Sequence, residues 1–217
     1  MSREGIEMLV ITADQIQSRS TEDRAGRALD ALNEEFGNRL TLPVDRNAGD
    51  EIQVIPPDGD TALQIILRLT RAGQWSVGLG AGEIRMPLPR ATREASGSAF
   101  IAARAAIGRA KKRATHFATE EARDDSGSRR TTAAEVEALI DLLLVLRSRR
   151  TAEGWELFDR TLRGLSQREV ARELKITPQA VSSRGKIAAI RTELVSYAAL
   201  ARVLDNLDAD QGDEQDA

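Results

Sequence analysis

The sequence predicts an α+β domain followed by an all-helical domain, and three observations indicate this division. Short β-branched runs alternate with helical periodicity up to about residue 118. The polar stretch TEEARDDSGSRRTT then occupies residues 119–132, and it is the expected linker. Every periodic segment beyond it is helical. We therefore expect a ferredoxin-like sandwich at 1–118, with helices on one face of a mainly antiparallel sheet, and a helical domain at 133–207.

Eight segments make up the first predicted domain. The predicted strands are residues 8–13, 40–44, 52–55, 75–84 and 115–118, and the predicted helices are 21–36, 61–71 and 95–114. The turn DRNAGD joins the second and third strands, because Asn and Gly are typical turn residues. Ser20 or Thr21 is the expected cap of the first helix, and Asp60 that of the second.

The composition excludes several kinds of site. Without cysteine the chain has no disulfide and no thiolate zinc site, and the single His116 rules out a multi-histidine metal site. No apolar run approaches the roughly 20 residues of a membrane helix, and no signal segment is visible, so we expect a cytoplasmic protein without a membrane partner.

The charge is unevenly distributed. The formal net charge is -3, yet residues 205–217 hold six acids and no base, so that 31 bases face 28 acids in the rest of the chain. We expect residues 208–217 to be a disordered acidic tail. Any nucleic-acid binding must therefore come from a local basic patch.

Acidic residues end the first predicted strand and precede the third. Asp14 follows ITA, while Asp50 and Glu51 follow Gly49. If the two strands are neighbours, Asp14 and Asp50 meet at one rim, where two carboxylates repel unless a cation lies between them. Hard oxygen ligands favour Mg²⁺ or Mn²⁺, and such an ion normally also holds phosphate. The alternative is that these acids simply suit a hairpin turn.

Other residues would contact the phosphate or the nucleoside. The turn after Asp14 leads into a helix N-terminus, where N–H groups bind phosphate well. Gly80, with its neighbours Gly78 and Gly82, either lets a base or ribose lie against the fourth strand or lets a helix pack there. The expected nucleotide contacts are Gln15, Ile16, Ser18, Arg19, Gly49, Gly80 and Arg104.

Three short motifs and one predicted helix resemble those of known protein families. ITADQIQSR, AGDEIQV, VGLGAGEI and GSAFIAARAAIGRAKKR resemble the SatD-like family and, more distantly, the palm domain of class III nucleotide cyclases and GGDEF-type diguanylate cyclases. The resemblance covers about residues 8–118. It implies that Asp14 and Asp50, with Glu51 as an auxiliary ligand, hold Mg²⁺ or Mn²⁺ on a purine nucleotide, and that Arg104 stabilises phosphate.

The chain departs from these families at two positions. Cyclases carry Asn four residues before the arginine that Arg104 matches, and Phe100 stands there. GGDEF enzymes carry two adjacent glycines, and Ala48 precedes Gly49. Catalysis of phosphate transfer depends on such donors, so the departures favour nucleotide binding without turnover.

Residues 165–190, LSQREVARELKITPQAVSSRGKIAAI, have the pattern of a helix-turn-helix that resembles sigma-factor region 4. Ser166 and Glu169 have the spacing of a capping box. Thr177 is the expected cap of the second helix, and Pro178 takes its first position. Lys175 stands where the turn often has Gly. The alternative is an ordinary helical hairpin.

The second helix of this motif enters the DNA major groove, and its first exposed residues read base edges. Residues 151–192 contain eight bases and five acids, a positive balance that suits phosphate. The expected DNA contacts are Arg168, Lys175, Thr177, Pro178, Gln179, Ser182, Ser183, Arg184 and Lys186.

These observations favour a DNA-binding transcription regulator whose palm-like domain binds a nucleotide with Mg²⁺ and modulates operator binding. A homodimer formed by the helices at 134–146 and 193–207 would read two half-sites, although these helices would equally close a monomeric bundle. Two alternatives remain. One is an active cyclase-type enzyme localised by its helix-turn-helix, and the other is a DNA-binding protein with a ligand-free dimerisation domain.

Overall fold

A computed structural model describes residues 5–16, 24–47, 49–122 and 131–208. Contacts divide the chain into two units, residues 1–141 with 200–217, and residues 142–199. The first unit holds every strand of the described residues, and the second is helical. The α+β class expected from the sequence is confirmed.

The first unit begins with five strands and three helices. They are β1 (Gly5–Gln15), α1 (Arg24–Phe36), β2 (Asp45–Arg46), β3 (Glu51–Val54), α2 (Gly59–Thr70), β4 (Trp75–Arg85), α3 (Ser98–Ala110) and β5 (Phe117–Glu121). Five helices follow, α4 (Ala133–Ser148), α5 (Ala152–Leu162), α6 (Gln167–Leu174), α7 (Pro178–Ile187) and α8 (Ile190–Asp208). Helices α4 and α8 each run from one unit into the other.

The five strands form one sheet in the order β2-β3-β1-β4-β5. β1 lies at the centre and is antiparallel to both β3 and β4, and β2 is antiparallel to β3. β5 is parallel to β4, because α3 carries the chain back across the sheet between them. The sheet is thus mixed, with one parallel pair at its edge.

Helices cover both faces of the sheet, so the prediction that they pack on one face was wrong. Successive residues of a strand point to opposite faces. Gly78 and Gly80 of β4 lie against α3, whereas Trp75, of the opposite parity, lines a cavity with residues of α1 and α2. Apolar side chains such as Val77 and Leu79 fill that second face without exposure.

Gly80 is covered by α3 rather than open to a ligand. A Cβ atom on Gly80 would lie 2.2 Å from the backbone nitrogen of Ala103 and 2.3 Å from the backbone oxygen of Ala99. A Cβ atom on Gly78 would lie 2.5 Å from the backbone nitrogen of Ile107. The glycines therefore let the alanine-rich helix approach the strand closely, and the prediction of Gly80 as a nucleotide contact is corrected.

Several predicted boundaries shift. Residues 40–44 form no strand, and β2 is only the pair Asp45–Arg46, directly before the turn. Asp58, not Asp60, caps α2, since its side chain accepts a 2.7 Å hydrogen bond from the Thr61 N–H. The predicted caps Ser20 and Thr21, together with Ala48 and residues 209–217 of the predicted tail, lie outside the described residues.

The predicted linker at 119–132 begins inside β5, which ends at Glu121. The start of α4 belongs to the first unit, because the Glu137 carboxylate accepts a 2.8 Å hydrogen bond from the Thr119 N–H of edge strand β5. Arg113 pairs with Glu137 and Asp141, and the hydrogen bond that its guanidinium donates to Asp141 raises the pKa of Arg113. The division between the two units therefore falls after residue 141 of the chain, within α4, and not in the polar stretch.

The second unit has its own apolar core. Leu157 and Phe158 of α5 pack with Val170 of α6 and Val181 of α7. The sequence analysis did not assign α5, although Thr151 caps it and Trp155, Phe158 and Leu162 follow at helical spacing. None of the helices in the described part of the chain is long and apolar enough to cross a membrane.

Two glycine substitutions in the same unit are expected to have opposite effects. Gly80→Ala should lower the free energy of unfolding by about 2 kcal/mol or more, because the added methyl group overlaps the α3 backbone. Gly108→Ala should raise it by about 0.5–1 kcal/mol, because a Cβ there meets nothing within 4 Å beyond the backbone of its own helix, and alanine favours the helix. Urea denaturation of both variants measures this, and a neutral Gly80→Ala would contradict the packing.

Candidate functional site

The rim carboxylates are brought together by strand register. Asp14 of β1 lies directly opposite Glu51 of β3. Residues that face each other across an antiparallel pair point to the same face, with Cβ atoms about 5 Å apart. The prediction paired Asp14 with Asp50, but β3 begins at Glu51 and Asp50 remains in the turn before it. Glu51 is thus the facing carboxylate.

Two basic residues contact these carboxylates, one within α3 and the other at its C-terminal end. The Arg104 guanidinium donates to Glu51 Oε1 at 2.8 Å, and Lys111 Nζ forms an ion pair with Asp14 Oδ2. The Asn47 amide also donates to Glu51 Oε1, at 2.9 Å. Both bases are half-exposed or more, whereas Asp14 and Glu51 are largely covered. The result is a partly covered cluster of two acids and two bases at one edge of the sheet, hereafter the rim cluster.

The other predicted nucleotide residues are placed differently. Gly49 has a φ of +59°, so it serves the left-handed turn before β3. Gln15 is buried at the end of β1, and the Ile16 N–H donates to the Gln74 carbonyl at 2.9 Å. That N–H is therefore used within the fold. Ser18 and Arg19 lie outside the described residues.

The rim cluster has the donor type that Mg²⁺ prefers. Magnesium binds one or two carboxylates and completes its shell with water and phosphate, so Asp14 and Glu51 would be sufficient protein ligands. The described residues include no group of three acidic, histidine or cysteine side chains arranged for a metal ion. Lys111 and Arg104 already compensate the charge of the two carboxylates, and an ion would have to exchange with them.

In the second unit, α6 and α7 have the local chemistry that the sequence predicted. The Ser166 hydroxyl accepts from the Glu169 N–H while the Glu169 carboxylate accepts from the Ser166 N–H, a capping box. Thr177 caps α7, with Pro178 at its first position. The chain turns between the helices at Lys175, whose φ of 53° is left-handed although the residue is not Gly.

The predicted DNA contacts lie mostly on the exposed side of this helix pair. Val181 faces the core, while Gln179, Ser183 and Lys186 of α7 are exposed. Ser182 and Arg184 are half-buried. The exposed members of the predicted set are Arg168, Lys175, Thr177, Pro178, Gln179, Ser183 and Lys186.

A buried ionic group fixes the C-terminal end of α7. Arg150 donates to the Ala188 carbonyl at 3.1 Å and 2.9 Å and to Glu193 at 2.7 Å. Its guanidinium lies 4.5 Å from the ring centres of Trp155 and Phe158. Arg147 also pairs with Glu193, which is only 2% exposed. No local pattern in the sequence indicates this group, because its members lie up to 46 residues apart in the chain.

Comparison with known proteins finds no relative. No family model, no curated protein and no solved structure matches the chain. The resemblance to the SatD-like family and to palm domains therefore stays a prediction from the motifs.

The capping box makes the stability of the second unit depend on pH. The hydrogen bonds from the Ser166 hydroxyl and N–H lower the pKa of Glu169. A lowered folded-state pKa adds stability above the unfolded pKa of about 4.3, and this is lost as pH falls through the folded-state pKa. Glu169→Gln should therefore lower the melting temperature at pH 7 and have little effect at pH 3.

Circular dichroism melts of both chains across this pH range provide the measurement. In a Ser166→Ala background the pH-dependent difference between Glu169 and Gln should shrink, because the main cause of the pKa shift is gone. An unchanged difference in that background would assign it to another group.

Proposed function

We propose that this chain is a transcription regulator that binds double-stranded DNA through α7 and responds to a nucleotide bound with Mg²⁺ at the rim cluster. The observation that supports DNA binding is the exposed surface of the α6–α7 pair. α7 is anchored to the core by Val181 and held at both ends, by Thr177 and by the Arg150 bond to Ala188.

The exposed side of α7 offers suitable groups for base edges. Gln179 presents an amide that can pair with adenine, and Ser183 presents a hydroxyl that suits a base or a phosphate. Lys186 follows one turn later and would contact phosphate. Because the helix is fixed at both ends, these side chains are presented in one orientation, which sequence-specific readout requires.

The sensing half is supported by the rim cluster. Asp14 and Glu51 would hold the metal ion, and Arg104 or Lys111, once released, would contact the phosphates. The ion would neutralise phosphate charge and fix the orientation of the nucleotide. Both bases are occupied with carboxylates, and Phe100 replaces the asparagine of the cyclases, so we favour binding over turnover.

A ligand affects DNA binding only through unequal affinity for two states of the protein. The continuous helices α4 and α8, which extend from one unit into the other, are the elements that would transmit such a difference. Within the first unit, Asp205 near the end of α8 accepts a 2.6 Å hydrogen bond from the Gly59 N–H at the start of α2.

We further propose that the regulator acts as a homodimer. Leu139, Leu142 and Val145 form an exposed apolar line along α4 at spacings of three residues, and Leu194 and Val195 are exposed on α8. A second copy covering these side chains would remove apolar surface from water. A dimer would also read two half-sites.

Base readout by α7 is tested on duplexes enriched from a random-sequence pool by the full chain. Gln179→Ala should cost about 1–3 kcal/mol of discrimination at one base position, because a bidentate contact is lost. Lys186→Ala should weaken binding to all duplexes and reduce the salt slope by about 1, because one phosphate contact is lost. Fluorescence anisotropy at several salt concentrations measures both.

The matched control is Lys112→Ala, an exposed lysine of the first unit that should leave DNA affinity unchanged. If the pool shows no enrichment, or if the two lysine variants behave alike, α7 is not the DNA-reading element.

The rim cluster is tested by calorimetry with ATP and GTP in the presence and absence of Mg²⁺. Asp14→Asn and Glu51→Gln should each weaken the Mg²⁺-dependent binding by about tenfold or more, since even indirect supports of a metal ligand cost about 10–100-fold. Glu94→Gln, an exposed acid of the same unit, is the control. Lys111→Met should tighten Mn²⁺ binding, because it removes the cation that competes for Asp14.

Operator affinity measured with and without nucleotide and Mg²⁺ then tests the coupling. If no common nucleotide changes the operator affinity, the proposal that the protein responds to a nucleotide is wrong. Product formed from ATP or GTP would instead favour the alternative that the protein is an enzyme.

A further inference from the structure

The row of residues directly inward of the rim cluster is polar as well. In β1, Thr12 precedes Asp14 by two residues and therefore points to the same face of the sheet. In β3, Gln53 follows Glu51 by two residues and lies opposite Thr12. On its other side Thr12 lies opposite Gly78, the residue that contacts α3. Thr12 and Gln53, hereafter the inner pair, thus lie on the α3 face next to the two carboxylates.

The inner pair is buried. Thr12 is 0% exposed and Gln53 is 6% exposed. Further inward the same face becomes apolar, since Val10 and Ile55 belong to one cluster with residues of α3. A polar side chain buried in such a place costs free energy unless it forms hydrogen bonds. The inner pair therefore marks the position at which the α3 face changes from an apolar core to a polar site.

The hydroxyl of Thr12 is buried without a hydrogen bond. Its Oγ1 atom finds no partner among the described residues. A buried hydroxyl without a partner loses its hydration and gains nothing in return. Valine has nearly the same shape and would avoid this loss. A hydrogen bond that Thr12 forms in another state of the site would account for the hydroxyl.

Metal binding would change the partners of the rim carboxylates. Glu51 accepts hydrogen bonds from Arg104 and Asn47, and Asp14 pairs with Lys111. An ion would have to exchange with the two basic residues, so the carboxylates would lose these contacts. A carboxylate that binds a metal ion is itself held by hydrogen bonds from neighbouring groups, which fix its orientation. New donors must then come from side chains close by.

The inner pair has donors at a suitable spacing. Thr12 is the diagonal neighbour of Glu51 across the two strands, and Gln53 is the diagonal neighbour of Asp14. Diagonal neighbours on one face are about 7–8 Å apart, which a long side chain can span. Each diagonal contains one long side chain, that of Glu51 in the first and that of Gln53 in the second. The Thr12 hydroxyl can therefore donate to Glu51, and the Gln53 amide can donate to Asp14.

We propose that Thr12 and Gln53 are positioning residues of the rim cluster, which donate hydrogen bonds to Glu51 and Asp14 when these carboxylates hold Mg²⁺ or Mn²⁺. They do not touch the ion, and they act by fixing the orientation of its ligands. The inference rests on the metal site of the proposed function. Three observations support it, namely the strand register, the burial of the inner pair and the unpartnered hydroxyl.

The probe is Mn²⁺, titrated into the full chain by calorimetry both alone and as its ATP and GTP complexes. Thr12→Val should weaken binding by about tenfold or more, the usual effect of removing a group that holds a metal ligand. Gln53→Met, which keeps the length of the side chain without its donor, should act in the same direction. Thr12→Ser keeps the hydroxyl and should bind about as tightly as the wild-type chain.

Thermal melts without metal separate positioning from packing. Thr12→Val should raise the melting temperature, because it removes a buried hydroxyl that has no partner. Thr61→Val is the matched control, since Thr61 in α2 is also 0% exposed and its Oγ1 likewise lacks a partner in the described part of the chain. This control should raise the melting temperature in the same way and leave the affinity for Mn²⁺ unchanged.

The outcomes distinguish this inference from the proposed function. If Thr12→Val binds Mn²⁺ as the wild-type chain does, or if it and Thr61→Val weaken binding equally, the inner pair does not position the carboxylates. The metal site itself then still stands, provided that Asp14→Asn weakens binding. If the wild-type chain binds none of the Mn²⁺ probes, or if Asp14→Asn binds them equally well, the proposed metal site is wrong and the inference is wrong with it.

Discussion

The close approach of α3 to β4 is the constraint on which the first unit depends. Gly78 and Gly80 bring the helix backbone so near the strand that even a methyl group would overlap it. This separation sets the position of α3 over the sheet. It thereby places Arg104 and Lys111 within contact distance of Glu51 and Asp14 on the strands beyond. The ion pairs of the rim cluster thus depend on the lack of side chains at Gly78 and Gly80 in the neighbouring strand.

A buried charge plays the corresponding role in the second unit. Glu193 is almost fully buried and pairs with Arg147 and Arg150. Taking such charges out of water costs free energy that only good geometry recovers. Here both guanidinium groups also lie over Trp155 and Phe158, and that of Arg150 donates to the Ala188 carbonyl at the end of α7. The network thus holds the C-terminal end of α7, a helix whose buried residue is Val181.

The caps that begin helices could be predicted from the sequence. The register of the strands, and the side chains that come together from distant parts of the chain, could not. Ser166, Thr177 and Pro178 indicate where helices begin, because a capping residue interacts only with residues up to three positions away. The choice between Asp50 and Glu51 depends on where β3 begins, and a one-residue difference reverses the face of every side chain. From the sequence alone, the glycines of β4 were equally consistent with a bound ligand and with a packed helix. The position of α3 decides between these two interpretations. The cavity that Trp75 lines is formed by residues of three elements, and no local pattern marks it.

Several basic residues near α3 form ion pairs within the first unit. Arg104 pairs with Glu51, Lys111 with Asp14, and Arg113 with Asp141. A metal ion at the rim cluster would have to exchange with two of these bases, Arg104 and Lys111.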